Sequence, residues 1–207
     1  MDGETPLRAR GEHYFSSKQT SKEKQRTVGL FINGKNLRFK TSSGMFSPRK
    51  VDNATVLLIE NMRLGKRILD LGCGYGPIGI VAASLNPRSQ VTMAEINERA
   101  VKLAMENAMM NHIPNAFVVR SDFFEKLGEE RYDTILMNPP MAIGLKRIFD
   151  LIGECKDHLA KGGSLQIVAR HGKGGGRLED RMKEVFGNVE EIAKGGGFRV
   201  YMSILSK

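Results

Sequence analysis

Short apolar segments alternate with amphipathic segments along most of the chain from residue 54 onward. Runs of five to eight mainly apolar residues predict β-strands, and apolar residues spaced three and four positions apart predict helices. The predicted strands cover residues 67–71, 90–95, 116–120, 132–137, 164–169, 189–193 and 198–205. The predicted helices cover residues 54–62, 78–84, 98–111, 145–159 and 178–186, and Gly162-Gly163 is predicted to end the fourth of them.

Strands that alternate with helices indicate a parallel sheet with both faces covered. The last two strands are separated only by Gly195, Gly196 and Gly197. A parallel crossover needs about a dozen residues, so this short loop predicts an antiparallel hairpin with the last strand reversed. The expected fold is therefore an α/β, Rossmann-like, doubly wound and mostly parallel seven-stranded sheet.

The N-terminal quarter differs in pattern from the rest of the chain. Residues 28–41 contain two apolar runs around Asn33-Gly34, the preferred two-residue turn of a β-hairpin. We therefore expect two regions: a basic N-terminal arm with a short hairpin extension over residues 1–50, and the main domain over residues 51–207.

Composition limits the class of protein. No apolar run approaches the roughly 18 residues of a membrane-spanning helix, and residues 1–25 lack the apolar centre of a signal peptide. These features predict a cytoplasmic protein without membrane association. The two cysteines, Cys73 and Cys155, are interpreted as reduced thiols.

The net charge of +9 is distributed unevenly. Residues 1–50 carry +7, residues 51–160 carry −2 and residues 161–207 carry +4, counted from lysine, arginine, aspartate and glutamate. A basic end beside a nearly neutral centre favours a polyanionic partner, although a solvated basic surface is the alternative.

A glycine-rich turn follows the first strand of the main domain. Gly74, Gly76 and Gly79 match the dinucleotide pattern GxGxxG, which alone would also suit a nicotinamide or flavin enzyme. The fuller string also contains Asp70 and Gly72. A carboxylate there would repel a pyrophosphate and attract the cationic methionyl part of S-adenosylmethionine, so the turn favours that cofactor. Asp70 itself suits either a ligand amine or the turn's own amides.

Acidic residues also follow the next two strands. Glu95 ends the second strand, where an acid can accept both ribose hydroxyl protons, and Ile96 beside it would cover one face of the adenine. Asp122 follows the third strand and would accept from the adenine amine with Phe123 packed nearby; a helix cap is the alternative role of Asp122.

Asn138, Pro139 and Pro140 follow the fourth strand directly. Residues before proline are held extended, so this segment predicts a stiff elbow that presents the Asn138 side-chain oxygen and the Pro139 carbonyl. Two fixed acceptors would bind both protons of a planar –NH₂ group and turn its lone pair toward a methyl donor. Positioning and fixed dipoles would then supply much of the rate gain.

Weaker signals concern metals and phosphates. His13 and His171 belong to no cluster with metal-ligand spacing, so no metal is expected. Lys146 and Arg147 would contact an RNA phosphate or simply form an exposed helix start. The basic loop over residues 170–177 suits nucleic-acid backbone contacts or is solvated.

Several segments of the chain resemble those of a known family. The matching segments are HYFS (13–16), SGMFSPRKVD (43–52), DLGCGYGPIGI (70–80), the acid in AEIN (94–97), SDFF (121–124), NPP (138–140) and GGGFRVY (195–201). They are similar to the methyltransferase small domain family of class I S-adenosylmethionine-dependent methyltransferases. Within it, the chain resembles the RsmC-type rRNA guanine-N2 methyltransferases and their small archaeal relatives.

The resemblance implies the function and the site. It implies methyl transfer from S-adenosylmethionine to an exocyclic amine in structured RNA, with guanine N2 of rRNA favoured; tRNA or a protein glutamine amide are alternatives. The chain lacks the duplicated N-terminal half of RsmC-type enzymes, so it would bind RNA with less surface or as a dimer; a monomer or a homodimer is expected. The implied cofactor residues are Asp70, Gly72, Cys73, Gly74, Gly76, Glu95, Ile96, Asp122, Phe123 and Asn138.

The chain departs from the family at one position. Many relatives place Tyr or Phe after the two prolines to stack on the target base, whereas this chain has Met141. A thioether contacts aromatic edges but offers no flat platform. Phe46, or Tyr14 and Phe15 in the arm, are candidates to supply the missing ring. A nicotinamide oxidoreductase and a non-catalytic RNA-binding module are the rivals from other functional classes.

Overall fold

The computed structural model describes residues 25–42 and 50–206. The first of these ranges is an antiparallel hairpin formed by β1 (Gln25–Ile32) and β2 (Lys35–Ser42). Asn33 and Gly34 form its two-residue turn, as the sequence predicted. The hairpin extension is therefore confirmed, and its strands are slightly longer than expected.

The second range contains a seven-stranded sheet. Its strands are β3 (Arg67–Leu71), β4 (Gln90–Glu95), β5 (Ala116–Arg120), β6 (Tyr132–Met137), β7 (Leu159–Arg170), β8 (Glu190–Gly195) and β9 (Phe198–Ile204). Their spatial order is β5-β4-β3-β6-β7-β9-β8. β9 is antiparallel to both β7 and β8, whereas the pairs among β3 to β7 are parallel. The predicted fold class, including the reversed last strand, is confirmed.

Five α-helices connect and cover the strands in the described part of the chain. They are α1 (Asn53–Asn61), α2 (Pro77–Leu85), α3 (Glu98–Met110), α4 (Leu145–His158) and α5 (Gly175–Phe186). The cluster of buried residues on one face of the sheet includes apolar residues of α1, α2, α3 and the hairpin, and the cluster on the other face includes residues of α4 and α5. Ile68 belongs to the first cluster and Leu69 to the second, as expected for alternating side chains in a strand buried on both faces.

One predicted boundary is wrong. Gly162 and Gly163 do not end a helix; α4 already ends at His158, and both glycines lie inside β7. The reason is a close approach between backbones. A Cβ at residue 163 would stand 2.8 Å from the carbonyl oxygen of Ala160 and 2.9 Å from that of Tyr132, so only glycine fits where β7 passes β6.

Two asparagines attach the hairpin to α3. Asn111 Oδ1 accepts from the Arg38 amide at 2.9 Å, and Asn111 Nδ2 donates to the Arg38 carbonyl at 2.7 Å. Asn107 makes the same pair of bonds with Lys40, and its Nδ2 also donates to the carbonyl of Tyr75 in the glycine turn. The free edge of β2 is thus paired, and α3 connects the hairpin with the site described below.

The structure also bears on the cysteines, on membrane-spanning helices and on metal-binding side chains. Cys73 and Cys155 are both buried free thiols. Within residues 25–42 and 50–206, no helix has the length and apolar character of a membrane span. The same residues contain no group of three histidine, cysteine or carboxylate side chains arranged to hold a metal ion.

Candidate active site

A cavity of about 570 Å³ lies at the carboxyl ends of the parallel strands, a size typical of small-molecule sites. This is where ligands bind in open α/β sheets. Its walls come from the ends of β3, β4 and β6, the segment after β5, the start of α1, and the adjoining ends of β7 and β9. The predicted site residues that line it are Gly72, Cys73, Gly74, Glu95, Ile96, Asp122, Phe123, Asn138, Pro139, Pro140, Met141 and Arg147.

The glycine turn forms one wall, and its amides are already bonded within the protein. The amides of Gly72 and Cys73 both donate to the carbonyl of Ala94, at 2.9 and 3.0 Å. The amide of Gly74 donates to Glu95 Oε2 at 2.9 Å. Gly72 and Gly74 adopt φ of 74° and 59°, a conformation that favours glycine. A pyrophosphate in this turn would therefore not find these three donors free.

Glu95 is the buried acid at the end of β4. Its Oε2 holds the Gly74 amide, and its Oε1 accepts from the Asn97 amide at 2.8 Å. Burial raises the pKa of the Glu95 carboxyl, while the bonds from Asn97 and Gly74 oppose that rise. Each carboxylate oxygen has a second lone pair. The side chain can therefore accept further protons from the cavity while its two backbone bonds fix its position.

Asp70 lies behind the turn and does not line the cavity. Its Oδ2 accepts from the amide of Gly79, in the first turn of α2, at 2.8 Å. The hydrogen bond of Asp70 is therefore made to the protein's own backbone, at the helix that follows the glycine turn. Its Oδ1 is buried without a hydrogen-bond partner among the described residues. Burial is the main cause that raises the pKa of Asp70 to about 7, and the charge of Glu95 adds to it. Gly76, which precedes α2, also lies outside the cavity lining.

Asp122 and Phe123 form the wall beyond β5, next to Ile96. The Ser121 hydroxyl donates to the Phe123 carbonyl at 2.8 Å, and Phe123 has a φ of 47°. This tight turn directs residues 122 and 123 toward the cavity. The Arg147 guanidinium lies 5.1 Å from the centroid of the Phe123 ring, and Arg147 also pairs with Glu154. Lys146, by contrast, is exposed, pairs with Asp150 and lies outside the cavity lining.

Asn138 directly follows β6 in the middle of the sheet, between the glycine turn and β7. Its Nδ2 donates to the hydroxyl of Thr55 at 3.0 Å, which orients the carboxamide. Thr55 is buried in the first turn of α1, where its amide donates to the capping carboxylate of Asp52 at 3.0 Å. Because the nitrogen end of the carboxamide is bound to Thr55, the oxygen end is left for another donor. No local feature of the sequence singles out Thr55 as a partner of Asn138.

The remaining wall comes from β7 and β9. Val168, Ala169 and Arg170 end β7, and Phe198 begins β9 beside Arg170. The sequence reasoning assigned no site role to Phe198, although its segment GGGFRVY was among the matching motifs. Phe46, Tyr14, Phe15 and His13, together with most of residues 43–52, lie outside the described residues.

The charge of the site favours a positively charged ligand near the glycine turn. Glu95 and Asp122 line this half of the cavity. Among the described residues, no lysine or arginine side chain forms an ion pair with Glu95 or Asp70. The hydrogen-bond partners of these two carboxyl groups are backbone amides. A cationic methionyl group and a ribose fit this arrangement, whereas a pyrophosphate would meet bonded amides and negative charge. The acidic side chains and bonded amides of this half of the cavity therefore fit S-adenosylmethionine better than a dinucleotide.

Comparison with known proteins finds relatives of two lengths. A protein of Bacillus subtilis named YbxB is 34% identical over 193 residues, which cover 91% of this chain and 96% of that protein. Ribosomal RNA small subunit methyltransferase C of Hamiltonella defensa is 33% identical over 177 residues, covering 83% of this chain and 51% of the enzyme. The chain thus spans about half the length of the methyltransferase C relatives that it matches.

Solved structures agree with this relationship. The Thermus thermophilus 16S rRNA N2 G1207 methyltransferase (RsmC), in complex with AdoMet and guanosine, superposes with a TM-score of 0.78 at 26% identity; the match covers 88% of this chain and 51% of that enzyme. A methyltransferase from Pyrococcus furiosus, 22% identical with a TM-score of 0.63, shares the fold. The family model of the methyltransferase small domain matches residues 36–202. The chain therefore belongs to the methyltransferase small domain family, and it is an S-adenosylmethionine-dependent methyltransferase.

Proposed function

We propose that this protein transfers a methyl group from S-adenosylmethionine to an exocyclic amine of a base in ribosomal RNA, with guanine N2 as the target atom. The observation that carries the proposal is the position of Asn138. It stands in the same cavity as the glycine turn, with its carboxamide nitrogen bound to Thr55 and its oxygen end available. An acceptor in that place suits a planar –NH₂ group, which brings two donors and no strong acceptor.

The residues of the β3 and β4 ends would hold the cofactor, which supplies an electrophilic methyl group when bound. Glu95 would accept the ribose hydroxyl protons with the lone pairs that its backbone bonds leave free. Asp122 would accept from the adenine amine, and Ile96 and Phe123 would contact the adenine faces. Gly72, Cys73 and Gly74 would let the ligand approach the backbone closely.

At the end of β6, Asn138 Oδ1 and the Pro139 carbonyl would accept the two protons of the target amine. The amine nitrogen would then become more tetrahedral, and its lone pair would attack the methyl carbon while the bond from that carbon to the sulfonium sulfur breaks. The methylated nitrogen would lose its surplus proton to water. Positive charge that grows on the nitrogen would be stabilised by these two fixed dipoles. Since the Asn138 carboxamide is already oriented by Thr55, little reorganisation is needed at the moment of transfer.

Two observations support RNA as the substrate. The methyltransferase C relatives act on small-subunit ribosomal RNA by their names, and the Thermus thermophilus enzyme was solved with guanosine. The N-terminal 50 residues carry a net charge of +7, which suits phosphate contacts. We therefore propose that residues 1–50 form a basic RNA-binding arm and that residues 51–207 form the catalytic domain.

The proposal is tested by methyl transfer from radiolabelled S-adenosylmethionine to fractions from a strain that lacks this chain. The fractions are small-subunit rRNA, tRNA and total protein, each with and without ribonuclease treatment. We expect label in the rRNA and its loss after ribonuclease. Label confined to protein would place the acceptor in a protein, as expected for a glutamine amide, and would contradict the proposed substrate.

A further inference from the structure

The order of the strands divides the cavity into two halves around Asn138. The glycine turn, Glu95 and Asp122 follow β3, β4 and β5, which lie in sequence on one side of β6. On the other side of β6 are β7 and β9. Because β9 is antiparallel, its first residue lies at the same edge of the sheet as the carboxyl end of β7. A base that reaches Asn138 opposite the cofactor must therefore lie over the β7–β9 edge.

The residues at this edge are Arg170 and Phe198. They are direct partners in the antiparallel register, which puts their side chains on the same face of the sheet. The Arg170 guanidinium lies 5.2 Å from the centroid of the Phe198 ring, and both residues line the cavity. The His171 amide donates to the Gly197 carbonyl at 3.1 Å, which ties the two strand ends together next to the pair.

Met141 does not provide a flat surface in this half of the cavity. Its Cε lies 2.8 Å from the point where a Cβ at residue 174 would stand, so its thioether is packed against Gly174. Leu145 packs at the same point. Met141 therefore serves as a side wall, and Phe198 is the aromatic ring that the described cavity lining offers on the β7–β9 side.

We propose that Arg170 and Phe198 form the stacking platform for the target base, in the role that Tyr or Phe after the two prolines would fill. This inference rests on the proposed function. Unpaired RNA bases stack on aromatic rings and on the planes of arginine guanidinium groups, and this pair presents both in contact with each other. The base would lie between the pair and the Asn138–Pro139 elbow, so that its exocyclic amine meets the Asn138 oxygen.

Two other arginine–phenylalanine pairs of the described residues differ from Arg170 and Phe198 in their position. Arg147 and Phe123 also line the cavity, but they lie on the cofactor side of β6. Arg177 and Phe149 have the same geometry, with 5.7 Å from guanidinium to ring, and lie outside the cavity lining. The last pair has the same chemistry without access to the base, so it is the matched control.

The test measures kcat/KM for small-subunit rRNA from a strain that lacks this chain, in parallel with the dissociation constant of S-adenosylmethionine by calorimetry. The variants are Phe198→Leu, Phe198→Tyr, Arg170→Lys and the control Phe149→Leu. Loss of one stacked base predicts that Phe198→Leu lowers kcat/KM by about ten-fold to a hundred-fold while cofactor affinity is unchanged. Phe198→Tyr keeps the ring and should retain activity. Arg170→Lys should lower kcat/KM by about ten-fold, since an ammonium group has no plane to stack on.

The outcomes separate this inference from the proposed function. If wild-type protein methylates the rRNA and Phe198→Leu behaves like Phe149→Leu, the platform is refuted while the proposed function stands. If Phe198→Leu weakens cofactor binding as much as rRNA methylation, the pair has a general structural role and the inference is equally refuted. Arg170 is exposed, so Arg170→Lys tests the platform even where Phe198→Leu is unstable; full activity of Arg170→Lys would contradict stacking on the guanidinium. Absence of transfer to RNA by wild-type protein overturns the proposed function and the platform together.

Discussion

The two halves of the cavity are built in different ways. In the cofactor half, backbone amides donate to both oxygens of Glu95 and to Oδ2 of Asp70, and each bond spans a short loop or neighbouring strands. In the substrate half, side chains from elements distant in sequence meet: Thr55 and Asn138 are 83 residues apart, and Arg170 and Phe198 come from β7 and β9, which α5 and β8 separate along the chain. The cofactor half is therefore fixed by local structure, and the substrate half by tertiary packing.

This difference has a functional consequence. A site for one invariant cofactor gains from rigidity, because each pre-formed hydrogen bond lowers the cost of binding. The substrate half instead exposes Arg170 and leaves Phe198 partly exposed, which suits the large RNA substrate that we propose. Asn138 stands between the two halves. Substitutions in one half should therefore affect one function and spare the other.

Asn138→Ala should show the largest difference between the effect on methyl transfer and the effect on cofactor affinity. Removal of a fixed polar group that stabilises developing charge lowers kcat by about a hundred-fold to a thousand-fold in comparable sites. Cofactor affinity should change by no more than a few-fold, because Asn138 lies at the border of the cofactor half. Single-turnover methyl transfer and calorimetry measure the two quantities. Equal losses in both would contradict the assigned role and the division of the cavity.

Glu95→Gln should weaken cofactor binding, the function of the other half of the cavity. The neutral amide replaces a carboxylate that binds the amides of Gly74 and Asn97, and bonds to charged groups contribute about 1.5–3 kcal/mol each. We expect the dissociation constant of S-adenosylmethionine to rise by about ten-fold to a hundred-fold. The control is Glu98→Gln, an exposed acid three residues away that pairs with Lys102 and Arg120. The prediction fails if both variants bind the cofactor equally well.

A smaller effect is expected for Thr55→Val, which retains the shape of the side chain and removes its hydroxyl. Without that acceptor the Asn138 carboxamide loses its fixed orientation, and one hydrogen bond corresponds to about five-fold to ten-fold in rate. The loss should fall on kcat, with unchanged affinity for cofactor. Thr55→Ser keeps the hydroxyl and should recover most of the rate. A merely structural role would instead make Thr55→Ser and Thr55→Val differ only in thermal stability.

The last effect falls on stability and leaves transfer rate aside, and it concerns Asp70 and pH. Its pKa is 3.8 in an ordinary environment and is raised to about 7 in the folded protein, mainly by burial. Between these values the folded state holds a proton that the unfolded state has lost, so stability falls as pH rises through this window. Asp70→Asn should therefore flatten the fall of Tm between about pH 4 and pH 7 in the cofactor-free protein. Parallel Tm profiles of variant and wild type would show that Asp70 does not titrate there.

The sequence predicts the elements around the glycine turn well because its signals there are local, and the cofactor roles of their residues stay predictions. Apolar periodicity identifies β3 and β4, and glycines at fixed spacing indicate the turn between β3 and α2. The acid at Glu95 is found simply because it ends a strand. Asp70 shows the limit of such reasoning, since its spacing suits two roles and only the fold turns its carboxylate toward Gly79.

The substrate half is harder to predict because its contacts are long-range. A buried threonine in the first turn of α1 has no local feature that distinguishes it from other helix residues, and its bond to Asn138 exists only after α1 packs on the sheet. Phe198 is likewise one of several apolar residues in a terminal strand until β9 pairs with β7. The predicted helix end at Gly163 is wrong for the same reason, because β6, the strand that approaches Gly163 closely, is distant in sequence.

The most direct test of the account is the chemical identity of the product. Small-subunit rRNA methylated by the wild-type protein is digested to nucleosides, and the methylated nucleoside is identified by mass spectrometry against synthetic standards. An elbow of Asn138 and Pro139 that grips a planar amine predicts a methyl group on an exocyclic nitrogen, with N2-methylguanosine as the product. A methyl group on a ring nitrogen, a carbon or the ribose 2′-oxygen would contradict the account.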